Sequence, residues 1–277
     1  MTGVDHAPTS GRSGERRPHY DAGVNELADQ PTDQPADHSS RGPAEPVRRR
    51  AHEVPDLPQG VAPARVRSFV RRGRRSALTL DRLHRLAPAR ALPPGRFDPE
   101  QAFGRVAPVV LEIGCGHGHA AIAFASACPE WDIVAMDVHS PGLARMLVDA
   151  EAADVPNLRV EQGDAVVFLE ERVGDRVFDA IHLFFPDPWR KKKHTKRRFV
   201  SPTNLDLLAR VLKPAGHILV ATDQEFYARH VLDEVAAHPR FDGRRVDRPE
   251  WRPTMGFEAK GRAAGREIHE LRIDLVD

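Results

Sequence analysis

The chain has 277 residues, 40% of them apolar, which allows one large domain or two modest ones around a real core. No apolar stretch approaches the roughly 20 residues that a membrane span needs, and the first residues lack the apolar centre of a secretory signal. Two cysteines are too few for a disulfide framework, so we expect a cytoplasmic protein with no membrane partner.

The amino-terminal part differs in composition from the rest of the chain. Residues 1–60 are rich in Pro, Gly, Ser, Asp and Arg and have almost no large apolar residues, which predicts a disordered extension. Residues 61–105 form a basic segment, with an arginine cluster at 65–75, that we expect to pack on or flank a catalytic domain. The formal net charge of +1 therefore hides strong local positive fields, at 65–75 and again at 190–198.

The catalytic domain is predicted to span residues 106–277. Apolar runs of strand length alternate there with amphipathic segments of helix length. This alternation is typical of an α/β fold with a doubly wound, mainly parallel sheet. Ligands of such sheets bind beyond the carboxyl ends of the strands, so functional residues are expected where each apolar run stops.

Three glycines crowd the turn after the first predicted strand: Gly114, Gly116 and Gly118. Glycine permits positive φ angles and lets a ligand approach the backbone, although a plain connecting turn is the alternative. The spacing G-x-G-x-G differs from the dinucleotide fingerprint G-x-G-x-x-G, which weakens a nicotinamide interpretation. No metal is predicted, because the Cys and His residues of this stretch would have to converge from one tight loop.

Acidic residues mark the first three strand ends. Asp137 follows the second strand and can accept hydrogen bonds from ribose hydroxyls, while Asp164 ends the third strand at the level of an adenine ring. Glu112, just before the glycines, can reach the ammonium group of a cofactor. Each of the two aspartates alone is equally consistent with a helix cap or a solvated turn. Together these residues favour an adenosine cofactor, and both NAD and S-adenosylmethionine fit the outline.

The fourth strand ends in "FFPDPW", which holds Asp187 on a proline-stiffened turn where the reacting group of the cofactor should lie. Methyltransferases use similar Asp-Pro-aromatic turns to hold the edge of a nitrogenous base. The basic run that follows is interpreted as a phosphate clamp that delivers the base to the carboxylate, with a solvated charged loop as the alternative. The predicted phosphate contacts are Lys192, Lys193, Lys196, Arg197 and Arg198.

The stretches "LEIGCGHG", "DVHSPG", "FFPDPWRKKKHTKRR", "ATD" and "GFEAKG", in that order, resemble the bacterial tRNA (guanine-N7)-methyltransferase family over about residues 65–277. The resemblance implies a class I, S-adenosylmethionine-dependent methyltransferase with a Rossmann-like, seven-stranded sheet. It also implies methyl transfer to N7 of guanine 46 in the variable loop of tRNA.

The resemblance carries over residue roles as well. Asp187 is the implied catalytic residue, and the implied methyl-donor site comprises Glu112, Gly114, Gly116, Gly118, Asp137, Asp164 and Asp187. The implied substrate contacts are Lys191, Asp223, Thr254, Met255, Gly256, Phe257 and Glu258. One departure matters: the family usually has Thr where this chain has Met255, and Thr254 stands one place earlier.

The chemistry of guanine N7 suits a sparse site. N7 carries a lone pair, so it can attack a sulfonium methyl without first losing a proton, and neither a cysteine nucleophile nor a metal is required. A nearby carboxylate would stabilise the positive charge that develops on the ring. Two rival functions remain: another S-adenosylmethionine-dependent RNA or base-amino methyltransferase, and a non-catalytic RNA-binding relic. A monomer and a homodimer both remain open.

Overall fold

A computed structural model describes residues 76–254 and 256–276. The predicted disordered extension, 1–60, and the arginine cluster, 65–75, therefore lie outside the described residues. The described α-helices are α1 (Ala77–Leu86), α2 (Pro99–Phe103), α3 (His119–Ala127), α4 (Ser140–Ala152), α5 (Ala165–Glu171), α6 (Pro202–Val211), α7 (Glu225–Ala236) and α8 (Gly256–Ala263). In these ranges no helix combines the length and apolar content that crossing a bilayer requires.

The described strands form one sheet of seven: β1 (Val109–Ile113), β2 (Asp132–Asp137), β3 (Leu158–Gln162), β4 (Phe178–Phe184), β5 (Leu212–Thr222), β6 (Phe241–Arg245) and β7 (His269–Leu275). Their order is β3-β2-β1-β4-β5-β7-β6. The first five strands pair in parallel, and β7 runs antiparallel to both of its neighbours. The prediction of a seven-stranded, mostly parallel α/β sheet is confirmed.

Helices cover both faces of the sheet, as the alternation of β1 shows. Val109 and Leu111 join one core cluster, with the buried residues of α5, α6 and α7. Val110 joins the other, with those of α1, α3 and α4. Because successive side chains of a strand point to opposite faces, Glu112 lies on the same face as Val110. This carboxylate therefore points from the middle of the sheet towards the α3 side.

Local sequence fixes where several helices begin. The side chains of Ser76, Asp98 and Ser201 accept hydrogen bonds from backbone N–H groups three residues ahead, at 3.1, 3.1 and 3.4 Å. Pro99 and Pro202 occupy the first helical positions of α2 and α6, where the missing N–H costs little. Capping side chains and prolines close in sequence thus determine where these helices begin.

The order of the strands locates the ligand crevice. From β1 the chain proceeds through β2 and β3 on one side, and then returns to place β4 on the other side of β1. The order reverses between β1 and β4, and in open α/β sheets such a reversal opens a crevice at the carboxyl ends of the strands. The glycine turn after β1 and the Asp187 turn after β4 flank this point.

Candidate active site

The glycine turn after β1 combines an open side with a packed side. Gly114, Gly116 and Gly118 have φ angles of 76°, 58° and 75°. A Cβ at Gly114 or Gly116 would meet nothing within 4 Å, whereas a Cβ at Gly118 would lie 2.0 Å from Cγ of Met146 in α4. The first two glycines therefore leave space beside the backbone, and the third allows α3 to start directly against α4.

Asp137 braces the loops at the ends of β1 and β2. Its Oδ2 accepts a hydrogen bond from the Gly116 N–H at 2.8 Å, and its Oδ1 accepts one from the His139 N–H at 2.8 Å. Each carboxylate oxygen has a second lone pair, so Asp137 can still accept from a ribose hydroxyl. Asp137, the residue predicted to bind a ribose, thus lies next to the glycine turn.

Asp164 caps α5. Its Oδ1 accepts hydrogen bonds from the N–H groups of Val166 and Val167 at 3.0 and 3.4 Å, and its side chain is buried. The helix-cap interpretation considered for the sequence is therefore what the structure displays at this position. A role towards a cofactor stays a prediction, which the position at the end of β3 allows.

Glu112 is a buried carboxylate with an unused oxygen. The residue is 3% exposed, and Oε2 has no hydrogen-bond partner in the part of the chain that the structure describes. Burial raises the pKa of this carboxyl to about 8, against the opposing effect of the Arg252 guanidinium. A buried acceptor without a donor is costly, so this oxygen is suited to a cationic ligand group such as an ammonium.

The turn after β4 is held in a strained backbone conformation. Phe185 and Trp189, which flank the Pro-Asp-Pro sequence, have φ angles of 52° and 41°. Such left-handed angles at bulky residues cost of the order of 1–3 kcal/mol each, and they cluster at functional sites. Asp187 lies exposed at the centre of the turn. The strain therefore presents one carboxylate outward at the end of a buried strand.

Most of the predicted phosphate clamp faces solvent. Residues Lys192–Arg197 form a short 3-10 helix, and Lys192, Lys193, Lys196 and Arg197 are exposed, as is Lys191 before them. Among these, Arg197 lies over the Trp189 ring, 4.8 Å from its centroid.

Arg198 is engaged differently. It is half-buried, its Nε donates to the Pro188 carbonyl at 3.1 Å, and its guanidinium lies 5.4 Å from the Phe226 ring centroid. Arg198 thus fastens the Asp187 turn from within the protein, which sets it apart from the exposed members of the basic run.

The remaining predicted substrate residues lie around α8. Asp223 forms an ion pair with Arg266 at 2.6 Å, and Thr254 accepts a hydrogen bond from Arg248 at 3.2 Å. Phe257 is 67% exposed at the amino end of α8. Met255 lies outside the described residues.

Two further predicted residues border this region. Gly256 has a φ of 59°, and a Cβ on it would lie 4.0 Å from Nδ1 of His119 in α3. Glu258 is 1% exposed and accepts from Arg248, Arg252 and Arg262. Gly256, the first residue of α8, thus lies close to the helix that follows the glycine turn.

Sequence reasoning missed the residue at the centre of this arrangement, Arg252. It is 2% exposed and forms ion pairs with Glu258 and Glu270. Its neighbour Trp251 stacks on the buried His182 at 5.2 Å, and burial lowers the pKa of His182 to about 3, so this imidazole is neutral at physiological pH. The signal available was the clustering of acidic and basic residues around 248–270, which does not reveal which of them meet.

Within the described residues there is no cluster of three or more His, Cys, Asp or Glu side chains arranged to hold a metal ion. The predicted cofactor carboxylates instead lie at successive strand ends along one edge of the sheet, where they bracket the glycine loop. Carboxylates spaced along a row of strand ends can each contact a different group of one extended ligand.

Two comparisons identify the class. Residues 106–271 match a family model described as "Putative methyltransferase". The crystal structure of the 16S rRNA methyltransferase KamB superposes with a TM-score of 0.51, covering 68% of this chain and 99% of that one, at 17% identity. At that identity the likeness establishes the fold alone. The fold and the family model together define a methyltransferase of the doubly wound α/β class.

Sequence relatives narrow the class. The tRNA (guanine-N(7)-)-methyltransferase of Idiomarina loihiensis is 41% identical over 216 residues, which cover 75% of this chain and 88% of that protein. The protein of the same name from Pseudomonas putida is 39% identical over 237 residues, with coverages of 82% and 99%, and that of Streptomyces coelicolor is 42% identical over 216 residues, with coverages of 75% and 80%. The chain belongs to the tRNA (guanine-N7)-methyltransferase family, which confirms the resemblance found in its sequence.

Proposed function

We propose that this protein transfers a methyl group from S-adenosylmethionine to N7 of guanine 46 in the variable loop of tRNA. The observation that carries the proposal is its identity of 39–42% to relatives named tRNA (guanine-N(7)-)-methyltransferase. The site agrees with this activity, since an exposed carboxylate on a strained turn is followed directly by exposed lysines. The proposal includes a cytoplasmic location, which a tRNA substrate favours.

The residues of the crevice fit S-adenosylmethionine, which supplies an electrophilic methyl group on a sulfonium. The unpartnered oxygen of Glu112 suits its ammonium, and Asp137 lies where ribose hydroxyls would be bound. Gly114 and Gly116 leave the space that a ligand against the backbone needs. The fit thus rests on one buried acceptor, one loop carboxylate and an open glycine turn.

Two roles are open to Asp187. Its carboxylate can stabilise the positive charge that develops on guanine as N7 is methylated. It can also accept hydrogen bonds from the guanine edge and so align N7 with the methyl group. In both roles the strained turn presents the carboxylate outward before substrate arrives, which lowers the cost of ordering it in the reaction.

The exposed lysines after the turn would neutralise tRNA phosphates. Phosphate contacts position a nucleic acid without reading its sequence. The choice of guanine then falls to Asp187 and the residues at the start of α8.

The test is to incubate bulk tRNA with labelled S-adenosylmethionine, digest it and identify the methylated nucleoside. We expect 7-methylguanosine, and no incorporation into an otherwise identical tRNA transcript with adenine at position 46. A methylated adenine or an amino-methylated base would favour the rival methyltransferase activity. Cofactor and tRNA binding without incorporation would favour the non-catalytic relic.

A further inference from the structure

The helix that carries the proposed substrate residues lacks an apolar anchor. Of the residues of α8, the structure buries Glu258 and Gly261, while Phe257 is 67% exposed. A short helix of a globular protein is normally held by the apolar face that it buries. The attachment of α8 must therefore depend on polar contacts, and Glu258 makes most of those described.

Three arginines converge on Glu258, but they differ in burial. Its Oε1 accepts from Arg248 at 2.8 Å and from Arg262 at 3.0 Å, and its Oε2 accepts from Arg252 at 3.1 Å. The side chains of Arg248 and Arg262 are 25% and 49% exposed, whereas that of Arg252 is 2% exposed. Solvent screens the first two pairs, so they are cheap to break, whereas breaking the Arg252 pair would leave an uncompensated buried charge, which makes it the costliest of the three to lose.

Arg252 also contacts the sheet on its other sides. Both of its terminal nitrogens pair with the two carboxylate oxygens of Glu270 in β7. Its guanidinium carbon lies 4.7 Å from the ring centroid of Phe184 and 5.9 Å from that of Phe185, the residue that opens the Asp187 turn. Its positive charge also acts on Glu112 in β1. One side chain thus touches α8, β7 and the end of β4, and its charge acts on the proposed cofactor carboxylate.

We propose that Arg252 is a positioning residue for methyl transfer, which fixes α8 against the sheet so that the start of the helix faces the crevice between the glycine turn and the Asp187 turn. The proposal rests on the proposed function. It also assigns Glu258, which is enclosed by arginines, the part of holding the helix in place of contact with the base. The base-facing surface is then the exposed start of α8, which includes Phe257.

The alternative is that the pair only adds to global stability. The two cases differ because a lysine at position 252 keeps the charge but cannot form the fork with Glu270 and reach Glu258 at the same time. For Arg252→Lys we expect the methyl-transfer rate, counted per protein molecule that binds cofactor, to fall about 100-fold. A loss of this size is expected when reacting groups are misplaced by about 1 Å. The dissociation constants for S-adenosylmethionine and for tRNA should stay within about threefold, because those contacts lie on the strand ends and the basic run.

The experiment normalises turnover to the binding stoichiometry from calorimetry, so that a loss of folded protein does not count. Arg172→Lys is the matched control: Arg172 is a largely buried arginine paired with Glu161 at 2.9 Å on the β3 side of the sheet. Glu270→Gln serves if Arg252→Lys does not fold, since it removes one charge and leaves the Arg252–Glu258 pair. Hydrogen exchange of the α8 amides supplies a readout that needs no activity.

Faster exchange of α8 relative to α6, together with the loss of turnover, would support the proposal. Unchanged exchange of α8, or unchanged turnover per competent site, would overturn it. If the wild-type protein makes no 7-methylguanosine, the proposed function fails, whereas the exchange comparison still decides whether Arg252 holds α8.

Discussion

A carboxyl group on a central strand is costly to ionise, and Glu112 is such a group. Burial raises its pKa to about 8 from an ordinary value of 4.5, so the folded protein holds this proton more tightly than the unfolded chain does. The stability that this proton contributes is complete at low pH and is lost as the pH rises from about 4.5 to about 8. A cationic ligand that pairs with Glu112 would reverse the preference and favour the ionised form.

We therefore expect Glu112→Gln to remove a pH-dependent loss of stability. In urea unfolding without cofactor, the wild type should lose stability between pH 5 and pH 8.5 relative to the variant, because glutamine has no charge to bury. The same variant should bind S-adenosylmethionine more weakly by about 1.5–3 kcal/mol, as expected for a lost charge-assisted hydrogen bond. Glu250→Gln, at an exposed position, is the control. Parallel pH profiles for wild type and Glu112→Gln would contradict this account.

We expect Asp187→Asn to lower methyl transfer by roughly two orders of magnitude, the cost of losing one electrostatic stabiliser, with cofactor affinity within a few-fold of wild type. Single-turnover kinetics with tRNA and calorimetry with cofactor measure the two effects. Asp242→Asn, an exposed aspartate on β6, should leave both unchanged. Near-wild-type turnover of Asp187→Asn would make the residue structural.

Among the turns between elements, two glycines allow the cost of backbone strain to be measured separately from the cost of overpacking. Gly118 ends the glycine turn, and Gly104 follows α2. Their φ angles are nearly equal, 75° and 73°, but of the two only Gly118 would have a clashing Cβ, against Met146. Gly104→Ala should cost about 1–3 kcal/mol from strain alone, and Gly118→Ala a further 1–3 kcal/mol from overpacking. Chemical denaturation measures both. Equal losses would show that α3 and α4 can separate at no cost, against the packing described here.

The basic run is a second element with a measurable property. Replacing Lys192, Lys193 and Lys196 by alanine should flatten the slope of log affinity for tRNA against log salt by about two to three units, a little under one for each lost contact. Cofactor binding should barely change. A matched variant with Arg85, Arg96 and Arg145 replaced by alanine removes the same charge from other exposed positions. If both variants show the wild-type slope, the run is a solvated surface and no clamp.

For the molecule as a whole, the predicted extension, residues 1–60, can be tested by deletion. Deleting residues 1–55 should leave turnover within about twofold of wild type, because the segment has too few large apolar residues to build a core. Its three arginines at 48–50 should add only weak, salt-sensitive affinity for nucleic acid. Steady-state kinetics of the truncated and full-length proteins compare the two. A large fall in kcat would assign the extension a part in the site.

The parts of the fold that were predictable from residues are those with a short-range signal. Apolar runs at β1 to β5, the glycines after β1 and the acidic strand ends can all be read directly from short stretches of the sequence. The last two strands came only from the family resemblance, since β6 has one buried apolar residue, Phe241, and carries two arginines as an edge strand.

The contacts around Arg252 were not predictable from the sequence. Its partners Glu258 and Glu270 lie 6 and 18 residues away in the sequence. Glu270 comes close to Arg252 only because β7 pairs antiparallel with β5. No periodicity marks such a pairing. The capping role of Asp164 and the strained angles of Phe185 and Trp189 likewise depend on tertiary context.

The reversed direction of β7 has a consequence for how the protein can vary. Since β6 runs parallel to β5 and β7 runs against both, the connection from β6 to β7 leaves and re-enters the sheet at the same edge. Residues 246–268, which include α8, therefore form one long hairpin connection whose two ends lie at the carboxyl edge of the parallel strands. Such a connection is an exchangeable module: its length and sequence can change while the order and register of the seven strands stay intact.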